Sequence, residues 1–280
     1  MKDLELLSEH GCFGGQQRFY RHQSAQIGLS MRFGLFVPPE PRALLVYLAG
    51  LTCSEETFAI KAGAQRLASE LGLALLTPDT SPRGAGIAGE ADSWDFGVGA
   101  GFYLDASQAP WAKHWRMESY LIHELLPDVQ QHLKLTPQRS GIFGHSMGAH
   151  GALTLALRHP GSFRSVSAFA PICAPRLCPW GQKAFAGYLG QHPAAWAAHD
   201  ASALMLAQIH APFPAGILID QGLADPFLPT QLMPEAFESA CRAIGQDLTL
   251  RRHADYDHGY YFIASFVDDH LRHHAAQLLA

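Results

Sequence analysis

From residue 43 onward, short uninterrupted apolar runs alternate with amphipathic segments. ALLVYLAG (43–50) and LALLTPD (73–79) are runs of this kind, and SGIFG (140–144), SVSAFAP (165–171) and APFPAGILIDQG (211–222) follow at intervals. A strand wetted on one face alternates in polarity; a strand covered on both faces does not have to. Segments such as ETFAIKAGAQRLASELG (56–72) and PTQLMPEAFESACRAIG (229–245) separate the runs; both read as amphipathic helices, closed by Gly72 and Gly245. WAKHWRMESYLIHELLPDVQQHL (111–133) reads as one helix or two, interrupted near Pro127. This order implies a mostly parallel sheet flanked by helices on both faces. Ahead of it, QQRFYRHQS (16–24) and LSMRFGLFVP (29–38) alternate and are rich in β-formers, which predicts an N-terminal antiparallel strand pair.

No composition shift or internal repeat divides the chain, so residues 1–280 are expected to form one domain. Charged residues make up 16% and the formal charge is -5 with no basic block, which argues against nucleic-acid or membrane-surface binding. No apolar stretch approaches the length of a spanning helix, and the N-terminus does not read as a signal peptide. Five scattered cysteines without a CxxC pair fit free thiols in a reducing compartment, and so a cytoplasmic location. His270, His273 and His274 have the spacing to share a metal, but a solvated last helical turn is the favoured reading, and no metal is expected. GVGAGF (97–102) lacks the third glycine and the preceding strand of a dinucleotide loop. The Gly-rich segment 81–105 is long for a connection in a compact domain, and long ordered loops are often functional.

The chemistry concentrates at GHSMG (144–148), set between a predicted strand and a predicted helix. This is the pattern of a nucleophile elbow. The serine sits on a tight corner, and the residues two before and two after it must be small because they press on neighbouring backbone. Ser146 is therefore the candidate nucleophile, with the Met147 amide placed where an oxyanion would form. A serine nucleophile needs a base, and the base needs an orienting acid. On such a sheet the chain order is serine, acid, histidine. His258 lies in the loop between the last strand and the final helix, where a base can reach back over the sheet. His150, four residues past Ser146, is expected to pack locally. Asp220 and Asp225 both fall at the turn after the preceding strand; Asp225 is favoured for its place in the loop, and Asp220 stays open. The loop GLTCSEETF (50–58) offers the second oxyanion amide at Leu51, with Gly50 permitting close approach. The same residues also suit a Gly turn and a helix cap.

Eight motifs together extend the reading: CFGGQQ (12–17), YLAGLTCSEETF (47–58), PDTSPRG (78–84), DSWDFGVGAGFYLDA (92–106), GHSMGAHGAL (144–153), APICAPRLCPWGQKAF (170–185), IDQGLADPFL (219–228) and YDHGYYFIASFVDDHLRHHA (256–275). On these the chain resembles the S-formylglutathione hydrolase family, also called the esterase D family, over nearly its whole length. The resemblance implies an α/β-hydrolase fold without a cofactor, and cleavage of a small-molecule substrate, the glutathione thioester of formate, in formaldehyde detoxification. Carried over by motif, it implies Ser146 as nucleophile, Asp225 as acid, His258 as base, and Leu51 and Met147 as oxyanion donors. It also implies a homodimer. The chain departs from the family at Ala174, where Asn is usual, and at Gly259, where Ser is common. Cys53 is expected to line the substrate pocket beside Gly50, and Trp94 and Trp180 to wall it, although tryptophan more often serves as plain core. A general short-chain carboxylesterase, a thioesterase or an acyltransferase on the same scaffold is the alternative.

Overall fold

The computed structural model describes residues 1–280. Nine strands form one sheet: β1 (Lys2–Cys12), β2 (Gly15–Gln23), β3 (Ser30–Val37), β4 (Ala43–Leu48), β5 (Leu73–Pro78), β6 (Ser140–Gly144), β7 (Ser165–Phe169), β8 (Ile217–Gly222) and β9 (Leu248–His253). Their spatial order is β1-β2-β3-β5-β4-β6-β7-β8-β9. From β5 through β9 every neighbouring pair is parallel, whereas β1, β2 and β3 join antiparallel and β3 meets β5 antiparallel. Strands β4 to β8 are buried at every residue, which is why they read as apolar runs rather than alternations.

The expected N-terminal pair corresponds to β2 and β3, and the structure adds β1 outside them. That strand is exposed along nearly its whole length, so no apolar period marks it. The segment expected as one helix over 56–72 divides into Thr57–Lys61 and Gln65–Leu71, with Gly63 at φ +71° between them. Gly72 does close the second piece, in the left-handed conformation with its N–H donating to Ala68 and Ser69 carbonyls. The segment around Pro127 stays helical from Met117 to Leu133 by widening to a π turn over Leu121–Leu125. A wider turn gives a mid-helix proline room for its missing N–H and its ring. The second amphipathic segment opens with a π turn over Leu228–Leu232, breaks at Met233 with φ +50°, and is α-helical over Pro234–Ile244, closed by Gly245 at φ +72°.

The C-terminal histidines correct the sequence reading. His270 and His274 are fully buried where the final helix, Tyr260–Leu278, packs against the sheet. The His270 ring pairs with Ser167 Oγ at 2.7 Å and Asp220 Oδ2 at 3.2 Å, and His274 with Ser165 Oγ at 2.6 Å and Ser167 Oγ at 2.9 Å. Their nitrogens serve internal hydrogen bonds, and burial holds both rings toward the neutral form. The helix turns these side chains inward, so they are not a solvated cationic turn. No helix is long and apolar enough to cross a membrane.

Candidate active site

Ser146 stands between β6 and the helix Met147–Arg158 with φ +57° and ψ -119°, a conformation L residues rarely adopt. Neighbouring strands hold the corner: His145 N–H donates to Leu48 O and Ser146 N–H to Phe169 O, both at 3.0 Å. The two flanking glycines are sterically required. A Cβ on Gly148 would lie 1.9 Å from Leu48 O, and one on Gly144 would lie 2.5 Å from the Gly148 backbone. The tight corner thus brings the end of β4 against the start of the helix.

Gly50, just after β4, packs on this corner; its missing Cβ would sit 3.2 Å from Ser146 Cβ. The next amide, Leu51 N–H, donates to no protein acceptor. Met147 is the first residue of its helix, so its N–H has no intrahelical partner. Both candidate oxyanion amides therefore belong to segments in contact with Ser146.

His258 lies in the loop between β9 and the final helix, and its Nδ1 meets Asp225 Oδ2 at 2.5 Å. The Asp225 side chain is fully shielded and also accepts Phe227 N–H at 2.8 Å. Asp220 points elsewhere. It accepts Arg251 at 2.5 and 2.6 Å, His253 at 3.1 Å and His270 at 3.2 Å, all beneath the sheet end. Burial alone would raise the Asp220 carboxyl, but hydrogen bonds from His270 and Arg251 outweigh it and hold the group well below the usual carboxylate range. Two aspartates five residues apart thus meet different histidines.

Ser146 and His258 line one cavity of about 260 Å³ together with Gly50, Leu51, Cys53, Trp94 and Trp180. No hydrogen bond joins Ser146 to His258 in this structure; such bonds are often long before substrate closes them. One wall is aromatic: Trp94 meets Trp180 edge-on at 5.5 Å, Trp180 meets Phe227 at 4.7 Å, and Phe227 meets the His258 ring edge-on at 4.9 Å. The other side carries Tyr260, Thr52 and His145, whose ring centroid lies 4.4 Å from that of His258. Burial drives His145 toward its neutral form and pushes the Cys53 thiol up. No carboxylate, lysine or arginine lines the cavity; its ionisable groups are the two histidines, the Cys53 thiol and the Tyr260 hydroxyl. Neither Ala174 nor Gly259 lines it.

Sequence reasoning missed Thr52, His145, Phe227 and Tyr260. Each stands within two residues of a position already singled out: Leu51, Ser146, Asp225 and His258. Tight turns aim consecutive residues at one spot, and that adjacency was the available signal.

A twisted, mostly parallel sheet with a serine on a positive-φ corner and an Asp–His pair facing the same cavity defines the class: a serine hydrolase of α/β-hydrolase fold. Residues 24–273 match the family model described as "Putative esterase". S-formylglutathione hydrolase of Mus musculus is 49% identical over 282 residues, covering 99% of both chains. That of Arabidopsis thaliana is 50% identical, covering 97% of this chain and 98% of its own. The solved structure of an S-formylglutathione hydrolase from Agrobacterium tumefaciens superposes with a TM-score of 0.94 at 46% identity, covering 99% of this chain and all of its own. The chain belongs to the S-formylglutathione hydrolase family of esterases.

Proposed function

We propose that this enzyme hydrolyses S-formylglutathione to glutathione and formate. The observation that carries the reaction class is the Asp225–His258 pair facing Ser146 across one cavity. Support for the substrate comes from relatives of that name, near half identity over almost the full length.

In this reading Asp225 accepts a hydrogen bond from His258 Nδ1–H, which leaves Nε2 free to take the proton of Ser146 Oγ. The serine attacks the formyl carbon, and the Leu51 and Met147 amides receive the oxyanion. Collapse of the tetrahedral intermediate breaks the C–S bond. Thiols have pKa values of about 8.5, so the thiolate leaves with little help from an acid. The departing thiolate takes the proton held on His258 Nε2, and the neutral imidazole then deprotonates the water that attacks the formyl-serine; that second proton returns to Ser146 Oγ as formate leaves. Gly50 gives the loop its close approach, and Cys53, Trp94 and Trp180 contact the acyl-thioester end. Because the cavity lining is uncharged apart from histidine, both carboxylates of glutathione stay at the rim.

The whole chain acts as one domain in this proposal, in the cytoplasm, where its five free cysteines stay reduced, and as a homodimer, which sedimentation velocity would measure. The deciding experiment compares kcat/KM for S-formylglutathione, S-acetylglutathione and p-nitrophenyl acetate. One added methyl in a tight acyl site costs about 1–3 kcal/mol, so the acetyl thioester should react about 10- to 200-fold more slowly. A flat response to acyl size would favour the general carboxylesterase or thioesterase reading. Ester formation with an added alcohol outpacing hydrolysis would favour an acyltransferase.

A further inference from the structure

The loop that carries the Leu51 amide is held on every side but one. Before it, the buried Tyr103 hydroxyl donates to Ala49 O at 2.9 Å. Within it, Thr52 sits at φ +68°, a genuine strain for a β-branched residue. That strain is contained by Gly99: Thr52 N–H donates to Gly99 O at 2.9 Å, and a Cβ on Gly99 would stand 3.2 Å from Thr52 Cα. Gly99 in turn donates its N–H to the buried Ser81 Oγ at 2.8 Å.

At the far end, Cys53 O accepts two hydrogen bonds from one short segment. Thr80 Oγ1 donates at 2.6 Å and Arg83 Nη2 at 3.2 Å. Arg83 is itself forked onto Asp79, Nε to Oδ2 at 2.7 Å and Nη2 to Oδ1 at 2.8 Å. The Asp79 side chain is nearly fully buried and also takes Thr80 N–H at 2.7 Å. A forked guanidinium is rigid in a way a single ammonium is not. Asp79, Thr80 and Arg83 do not line the cavity.

We propose that Asp79 and Arg83 are positioning residues for the hydrolysis: through the Cys53 carbonyl they fix the strained 50–53 loop so that the Leu51 amide points at the developing oxyanion. This rests on Leu51 being an oxyanion donor. Fixed donors aimed at transition-state charge act on kcat, because the ground-state carbonyl does not yet need them. With Thr80 still bound to Cys53 O, loss of the fork loosens the loop without releasing it.

The kinetic arm of the test uses the full-length enzyme with p-nitrophenyl acetate, so that it does not depend on the natural thioester. Arg83→Gln and Asp79→Asn should each lower kcat about 10- to 100-fold with KM within twofold. The double variant should be no worse than either single one, and Arg83→Lys, which keeps the charge but not the fork, should recover only part of the loss. A trifluoromethyl ketone, which forms an oxyanion on Ser146, should lose affinity by the same factor as kcat. S-methylglutathione, a thioether that forms none, should bind the variants within twofold of wild type. Unchanged kcat in Arg83→Gln overturns the proposal, as does a parallel loss of affinity for the thioether and the ketone. A wild-type enzyme that binds the ketone no more tightly than the thioether overturns the oxyanion reading and the clamp with it. Tight ketone binding that Arg83→Gln leaves intact overturns the clamp alone.

Discussion

Asparagine in place of each of two aspartates, 220 and 225, separates orienting a base from holding the fold. Asp225→Asn keeps the shape but sets an amide opposite His258 Nδ1. The tautomer that leaves Nε2 free to accept the serine proton is then no longer favoured. In a triad such a change costs about 10⁴ in kcat, roughly 5.5 kcal/mol of transition-state stabilisation. Stability should move by only about 1 kcal/mol, because the amide oxygen can still accept Phe227 N–H. Asp220→Asn has the opposite profile. Its carboxylate has no exposure and serves Arg251, His253 and His270 at once. Removing one partner of a buried pair costs about 3–5 kcal/mol. The Arg251 side chain is 32% exposed and also holds Asp269, so its charge stays partly solvated and the lower end, about 3 kcal/mol, applies. For a chain of this size that is a melting loss on the order of 5–10 °C. Activity per folded molecule should stay within about threefold of wild type, since no Asp220 partner lines the cavity. Urea melts and p-nitrophenyl acetate kinetics, corrected for active fraction, read both axes. A fully active Asp225→Asn enzyme, or a stable Asp220→Asn enzyme with under about 1% activity, would refute the assignment of roles.

Ser146→Ala should abolish turnover of S-formylglutathione and p-nitrophenyl acetate alike and end covalent labelling by a fluorophosphonate; substantial surviving turnover would remove Ser146 as nucleophile. Gly148→Ala places a methyl 1.9 Å from Leu48 O, so β4 and the helix must part, and kcat should fall at least about 100-fold; wild-type kinetics would show that the corner is not sterically set. Lowering the pH should unfold the protein early. Burial pushes His150 down to about 3, and His199 and His273 down to about 4. The unfolded chain binds protons below pH of about 6.5 that these sites refuse, so their stabilisation is full above that pH and is lost as pH falls toward 4. Between pH 7.5 and 5.5 His150 alone accounts for a loss on the order of 1 kcal/mol, and the partly wet His199 and His273 add somewhat less each. Equal urea midpoints at the two pH values would contradict this.

What could be read from the sequence follows from the range of the forces involved. Strands β4 to β8 were legible because burial on both faces writes itself into every residue of a run. Strand β1 was not, since it is held by backbone hydrogen bonds to β2 and leaves its side chains in water. The helix break at Gly63 was hidden for a similar reason: the apolar period continues across it, and only the backbone angle changes. A solvated turn for the histidines at 270, 273 and 274 follows from a local rule, charge at a helix end, whereas the burial of His270 and His274 against Ser165 and Ser167 depends on residues about a hundred positions away.

The candidate site divides along the same line. The Ser146 corner was legible because its steric demands fall on residues two positions away, and the glycines there answer them. The choice between Asp220 and Asp225 was not, because one stands near the end of a strand and the other follows it by five residues, and what separates them is which side chains each meets across the fold. Arg83 shows the limit most clearly. Its contact to the Cys53 carbonyl spans thirty residues and uses a backbone oxygen, which no side-chain pattern records. The groups that act on the substrate announce themselves by residue type. Those that hold an amide in place need only reach a carbonyl, so they are found by following hydrogen bonds outward from the loop they restrain.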